Sequence, residues 1–344
     1  MKATPLSHLR LRSTVFLLWA GVGSNPDPLT QSSLSLQFPL ACQPNVDCWI
    51  AQYKDDDRGP DMLDYACGKR TSDGHNGTDF AIEDSRVMME GVPVVAAADG
   101  SVARLRDGVP DFKITAATRS SVEGIECGNG VVLRHGDDWE TQYCHLRQGS
   151  IVVHVGDHVA AGQKLGLVGM SGLASFPHVH LTVRYKGQDI DPFVGLSRAD
   201  RCGLGSQPLW RGDLMPLLAY EPFAIYHVGF ADNVPTSDAV RAGDFDDSTL
   251  PASAPIIALW ADIFGVVSDD VLTMRIISPD GSILVEKRWL LPVSQPQFFE
   301  FIGRRRHDEN WPAGKYLGEI TLVRPHAVQG GSFEKRVLRE LNVR

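Results

Sequence analysis

The feature that most constrains the fold is the rhythm of short apolar runs between residues 71 and 195. Residues 91–96, 100–104, 131–134, 151–155, 164–168 and 178–185 are all rich in Val, Ile, Leu or Ala. Asp99-Gly100, Gly136-Asp137, Gly156-Asp157 and Gly162 punctuate them. Runs this short, bounded by turn residues, read as strands, and their spacing predicts an antiparallel sheet domain. Helical periodicity is weak throughout. Beyond residue 216 the pattern resumes at 256–260, 271–277, 283–291, 297–302 and 316–323. Ser278-Pro279-Asp280-Gly281 marks a hairpin turn between two of these runs. This second group predicts a small, Ig-like β-sandwich.

The expected architecture is therefore mainly β, with one domain over residues 71–200 and another over 216–344. A chain of 344 residues has room for both. Residues 201–215, with Gly203, Gly205, Ser206 and Pro208, read as a linker. Residues 25–70 read as a polar, turn-rich lead-in, and Asp55-Asp56-Asp57 within it as a solvated acidic turn rather than a calcium loop.

Residues 1–24 are expected to be a cleaved signal peptide. Lys2, Arg10 and Arg12 form a basic start, residues 15–22 are apolar, and small residues lead to a cleavage site near Gly23 or Ser24. No apolar run reaches the ~18 residues of a membrane-spanning helix, so the mature chain is expected to have no membrane span. Loss of residues 1–24 would move the net charge from −9 to −12. A nucleic-acid-binding chain should show the opposite sign, and nucleic acid is not an expected partner.

Export makes disulfides plausible. Cys42, Cys48, Cys67, Cys127, Cys144 and Cys202 allow about 15 pairings. A turn at residues 135–138 would set the runs before and after it side by side, with Cys127 and Cys144 near the open end. That pair is the expected bridge. No CxxC spacing supports a zinc–thiolate cluster.

Three fragments carry chemistry. In Gly74-His75-Asn76-Gly77-Thr78-Asp79, a glycine turn leading into a strand can bring an imidazole and a carboxylate together. In Pro177-His178-Val179-His180-Leu181, strand alternation projects His178 and His180 from one face while Val179 and Leu181 point into the core. Tyr143-Cys144-His145-Leu146 lies at a strand end. No HExxH helix is present, which excludes that metallopeptidase arrangement.

In type and order, these fragments resemble the lysostaphin/LytM-type zinc metallopeptidases, over about residues 65–195. The family pattern is His-x-x-x-Asp, then Tyr-x-His-Leu, then His-x-His after a Gly/Ser-rich loop, here Ser171-Gly172. The resemblance implies Zn2+ held by His75, Asp79 and His180, with a remaining position for water or a substrate carbonyl. It implies that His145 and His178 sit beside the metal, one as general base and both steadying the oxyanion, without saying which is the base. The implied activity is hydrolysis of peptide bonds in peptidoglycan stem peptides or cross-bridges. Two alternatives stand beside it: a non-catalytic regulator of another wall hydrolase on the same fold, and a wall-binding protein driven by the C-terminal domain.

Overall fold

Strand-forming runs and glycine turns produce the elements of a computed structural model that describes Met1 and residues 34–57, 59–197, 201–245, 248–328 and 330–344. Met1–Ser33 is a unit of its own, and the expected signal peptide lies outside the described residues.

In Leu34–Arg344 the described residues of the first half hold ten strands: β1 Cys48–Gln52, β2 Thr78–Ile82, β3 Pro93–Val95, β4 Gly100–Arg106, β5 Asn129–Arg134, β6 Trp139–Leu146, β7 His158–Val159, β8 Lys164–Leu167, β9 His178–Tyr185 and β10 Gln188–Ile190. Eight of them form one antiparallel sheet in the order β1-β2-β9-β6-β5-β4-β7, with β10 paired to β9, while β3 and β8 make a separate ribbon. The centre of this sheet, β2-β9-β6, carries the candidate chemistry. Its other face is filled by Phe80, Val131, Leu133, Tyr143, Val179 and Leu181, the alternate residues of the same strands. The expected strand at 151–155 is absent. Val152 donates one backbone bond to Leu165, and the run is otherwise an irregular crossing.

The lead-in is not a separate segment. Strand β1 pairs with β2, and Leu36, Phe38, Tyr53 and Tyr65 lie in the first-domain core. Tyr65 stacks on Phe193 with ring centroids 4.6 Å apart. Asp55 is buried rather than solvated: its carboxylate accepts from the backbone N–H groups of Asp57, Leu63 and Gly74. The expected linker is also packed down. Leu209 and Trp210 are buried in the same core, and Cys202 is bridged to Cys67. Isolated apolar residues among turn formers give no periodic signal, yet long-range packing buries them all the same. Cys127–Cys144 is bridged as expected, and Cys42–Cys48 is the third disulfide.

The second half comprises β11 Ala224–Ala231, β12 Thr249–Leu250, β13 Ile256–Val266, β14 Val271–Ile277, β15 Ile283–Leu290, β16 Gln295–Arg305, β17 Gly314–Arg324 and β18 Phe333–Val343. A three-stranded sheet β11-β13-β16 and a five-stranded sheet β12-β18-β17-β14-β15 share one apolar core. Two sheets on one core make a sandwich. Among the described residues only two short α-helices occur: α1 Ser85–Glu90, capped by the Asp84 side chain, and α2 Ser237–Ala242, capped by Thr236.

Strand β13 is buried along its whole length, which requires cover on both faces. Ile257, Leu259, Ala261 and Ile263 fill the sandwich core. Phe264, on the opposite face, joins Tyr226 and Ala224 against Trp49, Ala51 and Ala81 of the first sheet. The two halves are thus joined by an apolar contact.

Candidate metal centre

The site stands on three neighbouring strands whose register is set by the sheet. Asp79 on β2 pairs with His180 on β9, and His180 pairs with Cys144 on β6. Period-two alternation then puts Asp79, His178, His180, Gln142 and Cys144 on one face, lining a groove of about 740 Å3. His75 comes from the turn before β2, which is tied down by bonds from Asp55 N to His75 O (2.7 Å) and from Gly74 N to Asp55 Oδ2 (3.0 Å). Gly77 is required between the two: a Cβ there would lie 2.6 Å from His180 Nε2 and 2.5 Å from Leu181 O.

Three donor atoms converge. His180 Nδ1 is 2.8 Å from Asp79 Oδ1, His75 Nε2 is 3.2 Å from the same oxygen, and the two imidazole nitrogens are 3.1 Å apart. Each imidazole is oriented through its other nitrogen. His75 Nδ1 donates to Tyr53 O at 2.7 Å; His180 Nε2 faces Asn76 Oδ1 at 3.1 Å and Thr182 Oγ1 at 3.0 Å. These partners leave one lone pair on each ring pointing inward. Two nitrogens and a carboxylate oxygen at this spacing fit a tetrahedral zinc: bonds of ~2.0–2.1 Å give ligand–ligand edges of roughly 3.3 Å.

His145 and His178 lie beside this triad. Their rings are 4.6 Å apart, and His178 Nε2 is 3.6 Å from Asp79 Oδ1. His145 Nδ1 donates to Ser171 O at 2.8 Å and His178 Nδ1 to Phe176 O at 2.9 Å. His145 has a backbone φ of 64°, a left-handed conformation that non-glycine residues adopt at a cost. Ser171 is itself anchored, its hydroxyl bonded to Asn129 N and Leu146 O.

The electrostatics follow from burial and from Asp79. Burial alone would raise the Asp79 carboxyl, but the surrounding His75, His178 and His180 hold it well below the usual range. Burial works against a charge on His75, and Asp79 outweighs it, so its pKa is raised. In His180 burial prevails over Asp79, and the pKa is lowered. His145 is pushed well down by burial, reinforced by His178 and His180.

All five residues singled out in the sequence are therefore brought together. The sequence reading missed Asn76, Thr182, Ser171 and Phe176, which orient the imidazoles. Asn76-Gly77-Thr78 matches a glycosylation sequon, but the Thr78 side chain is fully buried and Asn76 faces His180. Tyr143 of the Tyr-x-His element points into the core, where its hydroxyl accepts from Ala97 N at 2.7 Å and burial raises its pKa to about 12.

Residues 73–192 match the family model described as Peptidase family M23. Over these residues the chain is similar to the LytM-type peptidases. Among curated relatives, the peptidoglycan DD-endopeptidase ShyA of Vibrio cholerae is 33% identical over 117 residues, 34% of this chain and 22% of that one. The DD-carboxypeptidase/endopeptidase Mpg of Neisseria meningitidis is 30% identical over 191 residues, 54% of this chain and 33% of that one. The chain thus spans at most a third of the length of these relatives. Among solved structures, the catalytic domain of the prophage-encoded M23 protein EnpA from Enterococcus faecalis, in a point-mutant form, shares 22% identity. The match covers 46% of this chain and 95% of that one, with a TM-score of 0.31.

Proposed function

We propose that the chain is an exported zinc-dependent endopeptidase that cleaves peptide bonds in peptidoglycan stem peptides or cross-bridges. The observation that carries this reading is the convergence of two ring nitrogens and one carboxylate oxygen within 3.2 Å, with two further imidazoles beside them in an open groove. The peptidoglycan substrate follows from the named activities of the relatives. Export is supported by the pairing of all six cysteines, which suits an oxidising compartment. No helix among the described residues is long and apolar enough to cross a membrane.

In this mechanism His75, Asp79 and His180 hold the metal. Zinc, when bound, supplies the Lewis acidity that brings the pKa of water near neutrality and polarises a peptide carbonyl. Of His145 and His178, one ring takes a proton from water and that proton is returned to the leaving amine. The other, having taken up a proton from solvent at Nε2, donates a hydrogen bond to the carbonyl oxygen as charge builds there. The carbonyls of Ser171 and Phe176 keep Nδ1 protonated in both rings, so that Nε2 does the work.

Residues 216–344 form an accessory domain in this reading. A regulator without activity would not need the full ligand set or both additional imidazoles. The deciding experiment compares wild type with His180→Ala for bound zinc and for digestion of purified peptidoglycan. Wild type should hold about one zinc per chain and digest the wall; the variant should do neither. Digestion unchanged in the variant would overturn the assignment.

A further inference from the structure

A chain of aromatic rings runs from the C-terminal sandwich to His178. Phe176 lies on the His178 imidazole with ring centroids 4.5 Å apart and planes at 30°. Behind Phe176 sits Phe264 of β13, its centroid 5.1 Å away. Phe264 in turn stacks on Tyr226 of β11 at 4.0 Å and 15°. The Tyr226 hydroxyl donates to Asp262 at 2.7 Å, and Arg241 grips the same carboxylate at 2.6 and 3.0 Å. Each ring is therefore backed by another, and the last is tied to a buried ion pair.

Phe264 lies on the β13 face opposite the sandwich core, where it and its own half's Tyr226 and Ala224 pack against Trp49, Ala51, Ala81 and Phe176 of the peptidase half. His178 has the complementary need. The sheet fixes its backbone, since His178 opens β9 and pairs with Ala81, but its Nδ1 bond goes to Phe176 O in the loop that enters β9, so that bond holds the ring only as firmly as the loop itself is held. A rigid aromatic wall behind Phe176 removes that freedom, because packed interiors resist displacement.

We propose that Phe264 is a positioning residue for hydrolysis: through Phe176, the C-terminal sandwich fixes the ring of His178. The sandwich is then part of the active site and not only an appendage to it. This rests on the placing of His178 in the hydrolytic machinery.

The test uses full-length protein: wild type, Phe264→Met, Phe264→Leu and Phe264→Tyr, assayed on a soluble cross-linked muropeptide dimer, with bound zinc and Tm measured on the same samples. Met and Leu keep apolar volume but lose the ring. They should lower kcat about ten- to a hundredfold while KM and bound zinc stay within about twofold, since a small misplacement of a reacting group has costs of this size. Tyr keeps the ring and should restore most of kcat. Wild-type kcat in Met or Leu, or a kcat that falls only in step with bound zinc, overturns the proposal; so does Tyr as slow as Met at equal Tm. If the Phe264 variants do not fold, Phe176→Leu is the second probe, with the same expected split between kcat and KM. A wild type that cleaves no wall peptide would instead defeat the functional reading.

Discussion

His180 Nδ1 lies 2.8 Å from Asp79 Oδ1 across two strands on which the residues are directly in register. The sheet itself thus sets the spacing of two donors, and the third, His75, is delivered by a turn that Asp55 holds. A site assembled in this way is pre-formed, and metal should bind without reorganisation of the chain.

Metal removal should therefore abolish activity and lower Tm, and one equivalent of zinc should restore both. Binding to the folded chain alone stabilises by about 4 kcal/mol at a thousandfold excess over Kd. Calorimetry of chelated, reconstituted and His180→Ala protein checks this; a Tm insensitive to zinc would show that these residues do not hold it.

His145 has no ligand role in this arrangement. His145→Ala should keep zinc and lose roughly 10²–10⁴ in kcat, the usual worth of a positioned acid–base group. Zinc analysis beside steady-state kinetics separates the outcomes, and loss of metal in this variant would make His145 a ligand.

Asn76 Oδ1 lies 3.1 Å from His180 Nε2, and through that ring it would act on a bound metal. Asn76→Ala should weaken zinc affinity about 10–100-fold, as is typical when the partner of a ligating imidazole is removed. Competition against a chelator of known affinity measures it. An unchanged affinity would mean that Thr182 alone suffices to orient the ring.

His227 of β11 is buried where the two halves meet. Burial, with Arg339 and Arg86 nearby, pushes its pKa down to about 3, against the opposing pull of Glu83 and Asp84 at 3.4 and 3.9 Å. The folded chain thus binds fewer protons at this site than the unfolded chain. The resulting stability is complete above pH 6.5 and drains away as pH falls towards 3. The loss is on the order of a few kcal/mol. His227→Gln should flatten the fall of Tm over that window; parallel curves for the two proteins would exclude the effect.

The candidate site was legible in the sequence to an unusual degree because its pieces are local. His178 and His180 are in phase on one strand, and His75 and Asp79 flank one glycine turn, so the motifs that carry the family resemblance are short enough to be read directly. The lead-in was misread for the opposite reason. Leu36, Tyr53 and Tyr65 are scattered among turn residues, and their partners Phe193, Leu209 and Trp210 lie far along the chain. No local pattern encodes such packing. His227 carries no sequence signal, because burial at a domain contact leaves no mark on its neighbours.

From the residues alone came a mainly β chain, the shared strand phase of His178 and His180 and the Cys127–Cys144 bridge, which depend on alternation or short spacing, while the donor set came from the resemblance to the lysostaphin/LytM-type pattern. Only the tertiary structure decided which atom orients each imidazole and what stands behind His178. Tyr53 reaches His75, Asn76 reaches His180, and Phe264 reaches Phe176, through contacts between segments distant in sequence. Such contacts arise from sheet register and from the burial of β13 on both faces, and these are properties of the assembled fold rather than of any segment.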